Sequence, residues 1–520
     1  MSGSVVSLPS VTIILQNADG EVSNTPQRVL LVGQKVAAGS AAAGVLVQNI
    51  ENSGAPENAL FGPSSMLAAM VRAFKKVNPV VRVDAIPLSD AGGAVARVVT
   101  FTVVGPATAA GSITVVAGSE LLHKFEVAFA SGDTATVIAG NITAAINADT
   151  KCPFTASNIA GAVSLTADNG GTVANSLGVE VKEITSDAGV SVASVTQGTA
   201  GATDPTLTTV LDVAVERYQA IVWPYASSLT ALATFLAARF NPTNAIMDGI
   251  GIATRQDTFS NLISALDALN DKDLVLFVDE QTTETLYLGP AQNEASYAKS
   301  SIFAAVRALR LTEDASISHL LTSTASLDQF GGAALASLPY FNTPLADLPI
   351  IPAGRGWTQS EIPSLVTSGG SIMGVNPGGT GALVGEVVTT YKTDPASNPD
   401  ATFKYLNFLD TSSGAREYFH NNLKNRFAQS RLTEGAVTRG RDMANPTTIK
   451  AYLEKLYLDL AGADFVLVQD GEEAIRFFKR NCSATVDLEN GRVVVDMLVP
   501  IVTQLRTIVA TMKIAFSVES

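Results

Sequence analysis

The sequence contains few of the side chains from which catalytic and metal sites are usually built. Its 520 residues include two cysteines, three histidines and two tryptophans. Cys152 and Cys482 lie far apart and neither has a Cys-x-x-Cys neighbour, so neither a disulfide framework nor a zinc site is predicted. His123, His319 and His420 are equally dispersed, and no His-x-x-x-His or His-Glu-x-x-His spacing supports a histidine metal site. We expect each histidine to be structural or to lie on the surface.

Charged residues are also scarce, at 16% of the chain, although 47% hydrophobic residues and a mean hydropathy of +0.26 exclude a disordered protein. Two interpretations stay open: a large Ala/Val/Thr-rich globular protein, or one whose surface is largely buried against other subunits. The formal net charge is −14 and the pI is about 4.8. An acidic chain repels phosphate backbones, so we expect no nucleic-acid partner.

Long apolar runs are missing. The most apolar stretches, 28–50 and 493–502, are broken by polar residues or proline, so the roughly 20 uninterrupted apolar residues of a membrane span are absent. The first residues carry neither the basic segment nor the apolar core of a signal peptide. We therefore expect no membrane partner, and a protein of a cytosol or of a particle assembled in one.

No motif nominates a catalytic, cofactor-binding or metal-ligating residue, and no cofactor is predicted. There is no Gly-x-Ser-x-Gly elbow. The glycine-rich stretch 377–385 precedes a β-prone run, 386–391, instead of the helix N-terminus that a phosphate-binding loop needs. Glu472 and Glu473 are best interpreted as the acidic first turn of a helix. These absences favour a structural role over an enzyme.

The pattern of helices and strands predicts a multidomain α+β chain. Strands alternate with helices in 28–90 and again in 205–360, which predicts one discontinuous α/β domain with a largely parallel sheet. Between them, 91–204 is a Gly/Ala/Thr/Val-rich segment that predicts a β-rich insert with one helix. Residues 361–505 form a C-terminal α+β core domain, and 1–27 and 506–520 form two arms.

Each predicted arm contains a short strand without a hairpin partner within easy reach. The interface residues that we predict on these strands are Val11, Ile13 and Leu15 in the first arm and Met512, Ile514, Phe516 and Val518 in the second. The strict alternation in the second arm is the period of a strand buried on one face. A strand without a partner in its own chain can pair with an exposed sheet edge of another copy.

One window departs from the acidic average. Between Lys404 and Lys455, nine basic and five acidic residues leave a net charge of +4. The candidate contact residues for an acidic partner are Lys424, Arg426, Arg431, Arg439 and Arg441. The alternative is a solvated face of helices and loops.

Several short motifs of the C-terminal third, taken in their order and spacing, resemble the sheath proteins of contractile phage tails, in particular the Mu-like branch. They are the Trp-Thr-Gln-Ser-Glu of 357–361, the Val-Val-Thr-Thr-Tyr of 387–391, the Asp-Ala-Thr-Phe-Lys-Tyr-Leu-Asn of 400–407, the Asn-Pro-Thr of 445–447 and the Met-Lys-Ile-Ala-Phe of 512–516. The resemblance covers 357–518 well and the α/β domain loosely, and the insert resembles a small β-rich domain of that branch. The loop at 431–435 is less basic than in the family.

The resemblance implies a viral tail sheath protein, a structural subunit of the virion that is not an enzyme. In that family, hexameric rings stack helically around a tail tube, and terminal arms add strands to the C-terminal domain of neighbouring subunits. Contraction drives the tube through the host envelope for genome ejection without nucleotide. The implied partners are other copies, the tail tube protein, and the baseplate and tail terminator proteins, with assembly in the host cytoplasm. The basic residues named above would then face the tube.

Two alternatives stay open at this point. The same residues suit the sheath of a phage-tail-like bacteriocin or injection device. A different class, a tail-associated hydrolase on the α/β domain, would require a converging polar site, and His319 with an Asp and a Ser in one cleft would support it.

Overall fold

The computed structural model describes residues 27–207, 209–239, 249–313, 345, 348–375, 381–384, 386–436, 443–462 and 467–502. The arm residues predicted above, His319, Arg439 and Arg441 lie outside these residues.

The strands, in chain order, are β1 (Arg28–Gln34), β2 (Arg82–Leu88), β3 (Ala96–Val104), β4 (Gly111–Gly118), β5 (Lys124–Phe129), β6 (Phe154–Ile159), β7 (Ala162–Gly170), β8 (Gly178–Ile184), β9 (Ser191–Val192), β10 (Thr196–Thr199), β11 (Ala220–Val222), β12 (Ile250–Asp257), β13 (Leu274–Glu284), β14 (Tyr287–Pro290), β15 (Gly370–Val375), β16 (Gly381–Val384), β17 (Arg431–Leu432), β18 (Met443–Ala444), β19 (Cys482–Asp487) and β20 (Arg492–Met497).

The α-helices are α1 (Pro56–Phe61), α2 (Met66–Val77), α3 (Ala135–Ala148), α4 (Leu229–Arg239), α5 (Phe259–Asp267), α6 (Ser296–Glu313), α7 (Glu361–Thr367), α8 (Leu406–Phe427), α9 (Pro446–Ala461) and α10 (Glu472–Arg480), with short 3₁₀ helices at Thr172–Ser176, Val210–Val213 and Ala226–Ser228.

A parallel sheet forms the centre of the α/β part, as the sequence predicts. Its strands follow the order β2-β1-β11-β12-β13-β15, and β16 is added antiparallel to β15. Val29 to Val32 are completely buried because helices cover the sheet, and parallel sheets typically have both faces covered. The sequence leaves two candidate caps for each of two helices, Ser64 or Ser65 for α2 and Asp133 or Thr134 for α3. In the structure Ser65 Oγ accepts from Ala68 N, and Thr134 Oγ1 accepts from Val137 N.

Strand β13 connects this sheet to the β-rich segment. Its first half pairs with β12 and β15, and its last residues, Gln281 to Glu284, pair antiparallel with β14. The order continues as β14-β8-β4-β5, so strands from both sides of residue 205 share one sheet. A second sheet, β10-β3-β7-β6 with β9 beside β3, packs against α3. Strands that are distant in sequence are therefore hydrogen-bonded to one another in this sheet.

Three local features differ from what the sequence pattern predicts. The pattern predicts a strand over 80–86 that Pro87 closes, but Pro87 lies inside β2 opposite Gly33, and it is tolerated because β2 is an edge strand of the described sheet, where a missing N–H is harmless. The pattern also places Val137 with Ile138, Ile142, Ala145 and Ile146 on one apolar face of α3, but Val137 is 46% exposed. The β-prone run 386–391 is not a strand: Thr389 N donates to Lys404 O and Thr390 N to Leu274 O, so its partners lie on different segments and no ladder forms.

The buried residues form two hydrophobic cores. The large core runs from Val29 to Leu406 and includes the buried residues of the β-rich segment. The small core runs from Ala415 to Cys482. Helix α8 contributes to both cores, because it begins at Leu406. The sequence pattern predicts that this helix starts at Gly414, eight residues later. In the described part of the chain, none of the helices combines the length and the apolar character needed to cross a bilayer.

Candidate functional site

The small core is built from helices α8, α9 and α10. Asn445 starts α9 with a capping box: its side chain accepts from Thr448 N at 2.8 Å, and Thr448 Oγ1 accepts from Asn445 N at 3.0 Å. The rings of Tyr457 and Phe478 stack with centroids 4.4 Å apart, and Phe419 stacks on the other side at 6.4 Å. This aromatic stack packs the three helices together, and the hairpin of β19 and β20 packs against the same core.

The β19–β20 hairpin covers one side of the small core. Its register pairs Cys482 with Met497 and Asp487 with Arg492. Along β20, Val493, Val495 and Met497 are half-buried against the small core, and the residues between them are exposed. The hairpin therefore has one apolar face and one polar face, the pattern of a sheet that is covered on one side.

Among the described residues, no further strand pairs with either edge of this hairpin. Leu498 N donates to Asn481 O at 3.3 Å, which sets the phase of the ladder. Because antiparallel pairs alternate, the backbone groups of Val493, Val495 and Met497 point away from β19. No described residue accepts a hydrogen bond from the backbone N–H of these three residues. A two-stranded hairpin is marginal by itself, and an open edge is a template for a further strand.

Three of the predicted basic contact residues are described, and all three are exposed. Lys424 and Arg426 lie in the last turn of α8, and Arg431 lies in β17, four residues after that helix ends. Cations near a helix C-terminus interact favourably with the helix dipole, which explains locally why Lys424 and Arg426 lie there. All three lie within eight residues of one another in sequence around the C-terminal end of α8, close to the exposed Glu434.

Two ion pairs join α8 to the large-core side. The guanidinium of Arg307 on α6 contacts Asp410 and donates to Gln219 O at 2.9 Å, and the two charged side chains are only 6% and 3% exposed. Arg217 makes a bidentate contact with Glu417 at 3.0 and 3.1 Å. Sequence reasoning did not find these residues, and no local signal could have, because the partners lie 103 and 200 positions apart.

A cavity of about 760 Å³ lies between α2, α6 and the β-rich segment. His123 Nδ1 lies 2.8 Å from Asp149 Oδ2, and Ser119 Oγ donates to the buried carboxylate of Glu294. Burial raises the pKa of Glu294 to about 7, whereas burial lowers the pKa of His123 against the opposing effect of Asp149.

This cavity bears on the hydrolase alternative. It supplies a histidine and an acidic residue, but the hydroxyl of Ser119 is held by Glu294, and no other serine, threonine or cysteine of the described residues lines it. Within the described ranges, no group of three His, Cys, Asp or Glu side chains could hold a metal ion. No observation at the cavity favours hydrolysis over a structural role.

Comparison with known proteins adds the deciding observation. The chain is 26% identical over 454 residues to the Mu-like prophage FluMu tail sheath protein of Haemophilus influenzae, covering 86% of this chain and 85% of that protein. This chain is similar in sequence to a Mu-like tail sheath protein. The predicted resemblance is thereby confirmed, and the expectation of a structural role agrees with it, because the matched protein is named as a tail sheath protein.

Solved sheath structures show weaker likenesses. The sheath tail protein of Desulfitobacterium hafniense matches with 8% identity and a TM-score of 0.43, over 94% of this chain and 100% of that one. The sheath tail protein of Listeria innocua matches with 11% identity and a TM-score of 0.44, over 93% of each chain. The contracted helical sheath of the anti-feeding prophage matches with 12% identity and a TM-score of 0.46, over 98% and 99%. No family model matches the chain.

Proposed function

We propose that this tail sheath relative polymerises with copies of itself as hexameric rings stacked around a tail tube, and that contraction of this polymer drives the tube through a host envelope. The observation that carries the proposal is the β19–β20 hairpin, whose outward-facing backbone groups have no hydrogen-bond partner among the described residues, in a chain with a β-prone segment at each end. Each end segment supplies the strand that a neighbouring hairpin lacks, so main-chain hydrogen bonds connect the subunits.

The energetics of such a connection suit a polymer that rearranges. Burying one apolar side chain of an arm stabilises by roughly 1.5–3 kcal/mol, and ordering each arm residue costs roughly 1–2 kcal/mol of backbone entropy. The two contributions nearly cancel, so a single arm binds weakly. Many arms held at high effective concentration give a stable sheath. The subunits then move relative to one another while their strands stay paired.

The remaining partners follow from the same proposal. The exposed cations Lys424, Arg426 and Arg431, together with Arg439 and Arg441, contact an acidic tail tube, and baseplate and terminator proteins limit the polymer. The sheath is then a virion component assembled in the host cytoplasm, and contraction uses energy stored at assembly without nucleotide. A sheath of a tail-like bacteriocin or injection device would use the same interfaces, and the neighbouring genes separate the two.

Negative-stain microscopy of the purified full-length protein tests the proposal directly. We expect tubes or stacked rings, and we expect a variant that lacks residues 511–520 to remain folded but to form neither. A monodisperse full-length protein at high concentration, or normal tubes from the truncated variant, would contradict the proposal.

A further inference from the structure

Two Asn-Gly dipeptides occur in the sequence, at 169–170 and at 490–491, and their surroundings in the fold differ. In such a dipeptide the backbone nitrogen of the glycine can attack the side-chain amide carbon of the asparagine and close a succinimide ring. Glycine favours this attack because it has no Cβ to hinder the approach and adopts a wide range of backbone conformations. Each dipeptide is therefore a candidate for deamidation, and the fold decides which one reacts.

The dipeptide Asn490-Gly491 lies in the turn between β19 and β20, and both of its residues are exposed. Gly491 has a φ of +61°, and a Cβ placed on it would meet no atom within 4 Å. The contacts that restrain the dipeptide are local. Asn490 Nδ2 donates to Asp487 Oδ2 at 2.8 Å, and Gly491 N donates to Leu488 O at 3.3 Å, which is longer than the usual range. Opening of the turn alone therefore frees both reacting groups.

The dipeptide Asn169-Gly170 ends β7 and is held by other segments of the large core. Asn169 Oδ1 accepts from Met66 N at 2.9 Å, and Asn169 Nδ2 donates to Lys35 O and to Asp90 Oδ1, both at 3.1 Å. Gly170 is buried, and its N–H, the group that must attack, donates to Asp90 Oδ2 at 2.8 Å. Reaction here requires that the end of β7 separate from α2 and from the segments that follow β1 and β2, which is a much larger opening.

We propose that Asn490 is a site of spontaneous deamidation in the folded protein, and that the fold protects Asn169. Hydroxide removes the proton from Gly491 N, and this nitrogen attacks Cγ of Asn490. The new N–C bond forms, the Cγ–Nδ2 bond breaks, and the amide nitrogen leaves as ammonia after taking a proton from water. Water then opens the succinimide at either carbonyl, which leaves an aspartate or an isoaspartate at position 490.

Either product alters the turn. The new carboxylate lies beside Asp487, so repulsion between like charges replaces the hydrogen bond from Asn490. The isoaspartate also adds a methylene group to the main chain, in a turn whose length fixes the register of the hairpin. Since Val493, Val495 and Met497 of β20 pack against the small core, deamidation loosens the hairpin over that core and leaves the large core unchanged.

Peptide mapping by mass spectrometry tests the proposal on the full-length protein, incubated at mildly alkaline pH. We expect acid at position 490, as aspartate and isoaspartate, to accumulate roughly tenfold or more faster than at position 169, because even one net hydrogen bond slows opening by up to about that factor. The rate should rise with pH, since the attacking nitrogen must first lose its proton. In urea, where the fold is lost, the two positions should react at similar rates.

Asn490→Gln is the matched control, because it keeps an exposed amide in the turn while its longer side chain disfavours closure of the ring. This variant should form no acid at position 490. Amide hydrogen exchange of β19 and β20 should become faster in the incubated wild-type protein and stay unchanged in the incubated variant. Equal rates at positions 169 and 490 in the folded protein would refute the proposal, as would an intact Asn490 under conditions in which the chain in urea reacts.

Discussion

The large core and the small core of this chain differ in how complete they are. The large core is spanned by an 11-stranded sheet whose central strands are paired on both sides, and helices cover it. In the part of the chain that the structure describes, the small core contains 13 buried apolar residues, and no further strand pairs with either edge of its hairpin. A core of that size with a marginal hairpin is a poor independent fold but a good receptor for further strands. The difference indicates which part of the subunit is scaffold and which part is connector.

We expect the largest effect from proline substitutions that distinguish the two hydrogen-bonding edges of β20. Val495→Pro removes an N–H that points to the open edge of β20, whereas Val494→Pro removes one that bonds to β19. We expect Val495→Pro to abolish sheath assembly with little change in the melting of the free subunit. Val494→Pro should lower the free energy of unfolding by roughly 1–3 kcal/mol. Electron microscopy and urea unfolding measure the two effects. Normal sheaths from Val495→Pro would show that the β20 edge is not a connector.

The next effect concerns the joint between the two cores. Asp410→Ala leaves the buried guanidinium of Arg307 without its carboxylate, which costs roughly 3–5 kcal/mol of unfolding free energy. Asp487→Ala breaks another Arg–Asp contact, but Arg492 is 64% exposed, so we expect a much smaller loss of unfolding free energy. Urea unfolding of both variants provides the comparison. Equal losses would mean that the Arg307–Asp410 pair does not hold α8 against the large core.

A pH dependence should belong to the large core. Burial raises the pKa of Glu294, so folding favours the neutral carboxyl group. The stability that the folded protein gains from this group is therefore present at low pH and is lost as the pH rises from the ordinary carboxyl pKa to about 7. Glu294→Gln removes this loss, and we expect the variant to be more stable than wild type above pH 7 by roughly 1–3 kcal/mol. Near pH 5 the two should be similar.

Denaturant unfolding between about pH 5 and pH 9, a range that brackets the raised pKa of Glu294, measures this difference in unfolding free energy. The exposed Glu473 on α10 provides the matched control, because Glu473→Gln changes the same group on the small core. The lowered pKa of His123 acts in the opposite direction, since a buried neutral imidazole loses stability as pH falls below its ordinary value. A pH profile of Glu294→Gln that parallels wild type would contradict the role of burial at Glu294.

Much of the fold could be predicted from sequence, because the signals are local. Periodic apolar positions preceded by Ser64 or Ser65, and by Asp133 or Thr134, predict the starts of α2 and α3, and in the structure Ser65 and Thr134 are the caps. Asn445 of the Asn-Pro-Thr motif caps α9. The run 386–391 shows where this reasoning fails. Its residues favour a strand, but a ladder needs one partner strand, and its hydrogen bonds go to several separate segments.

The candidate site was predictable only in part. The alternation in 512–518 and the two strands of the hairpin are visible in the sequence, because their period is two. Two features depend on what packs beside each strand: no described strand pairs with the β20 edge, and Asp487 has an ion pair while Asp496 has none with a described residue. The pairing of Arg307 with Asp410 depends on tertiary geometry alone, so composition and spacing give no sign of it.

The smallest expected effect concerns the outer surface of the connector. Lys424→Glu, Arg426→Glu and Arg431→Glu, combined in one variant, should weaken binding to the acidic tail tube, with each exposed contact contributing about 0.2–1 kcal/mol. The effect should shrink as salt shortens the screening length from about 10 Å at 0.1 M to about 3 Å at 1 M. Co-sedimentation of the variant with purified tube, at low and high salt, measures it.

The matched control reverses three exposed cations on the large-core side, Lys124, Lys151 and Lys272, and so imposes the same change of net charge. Because a general increase in acidity would repel an acidic tube equally in both variants, only a contact by the end of α8 predicts a difference between them. Equal binding by the two triple variants at low salt would therefore assign the basic residues to a solvated face and leave the tube contact to another part of the subunit.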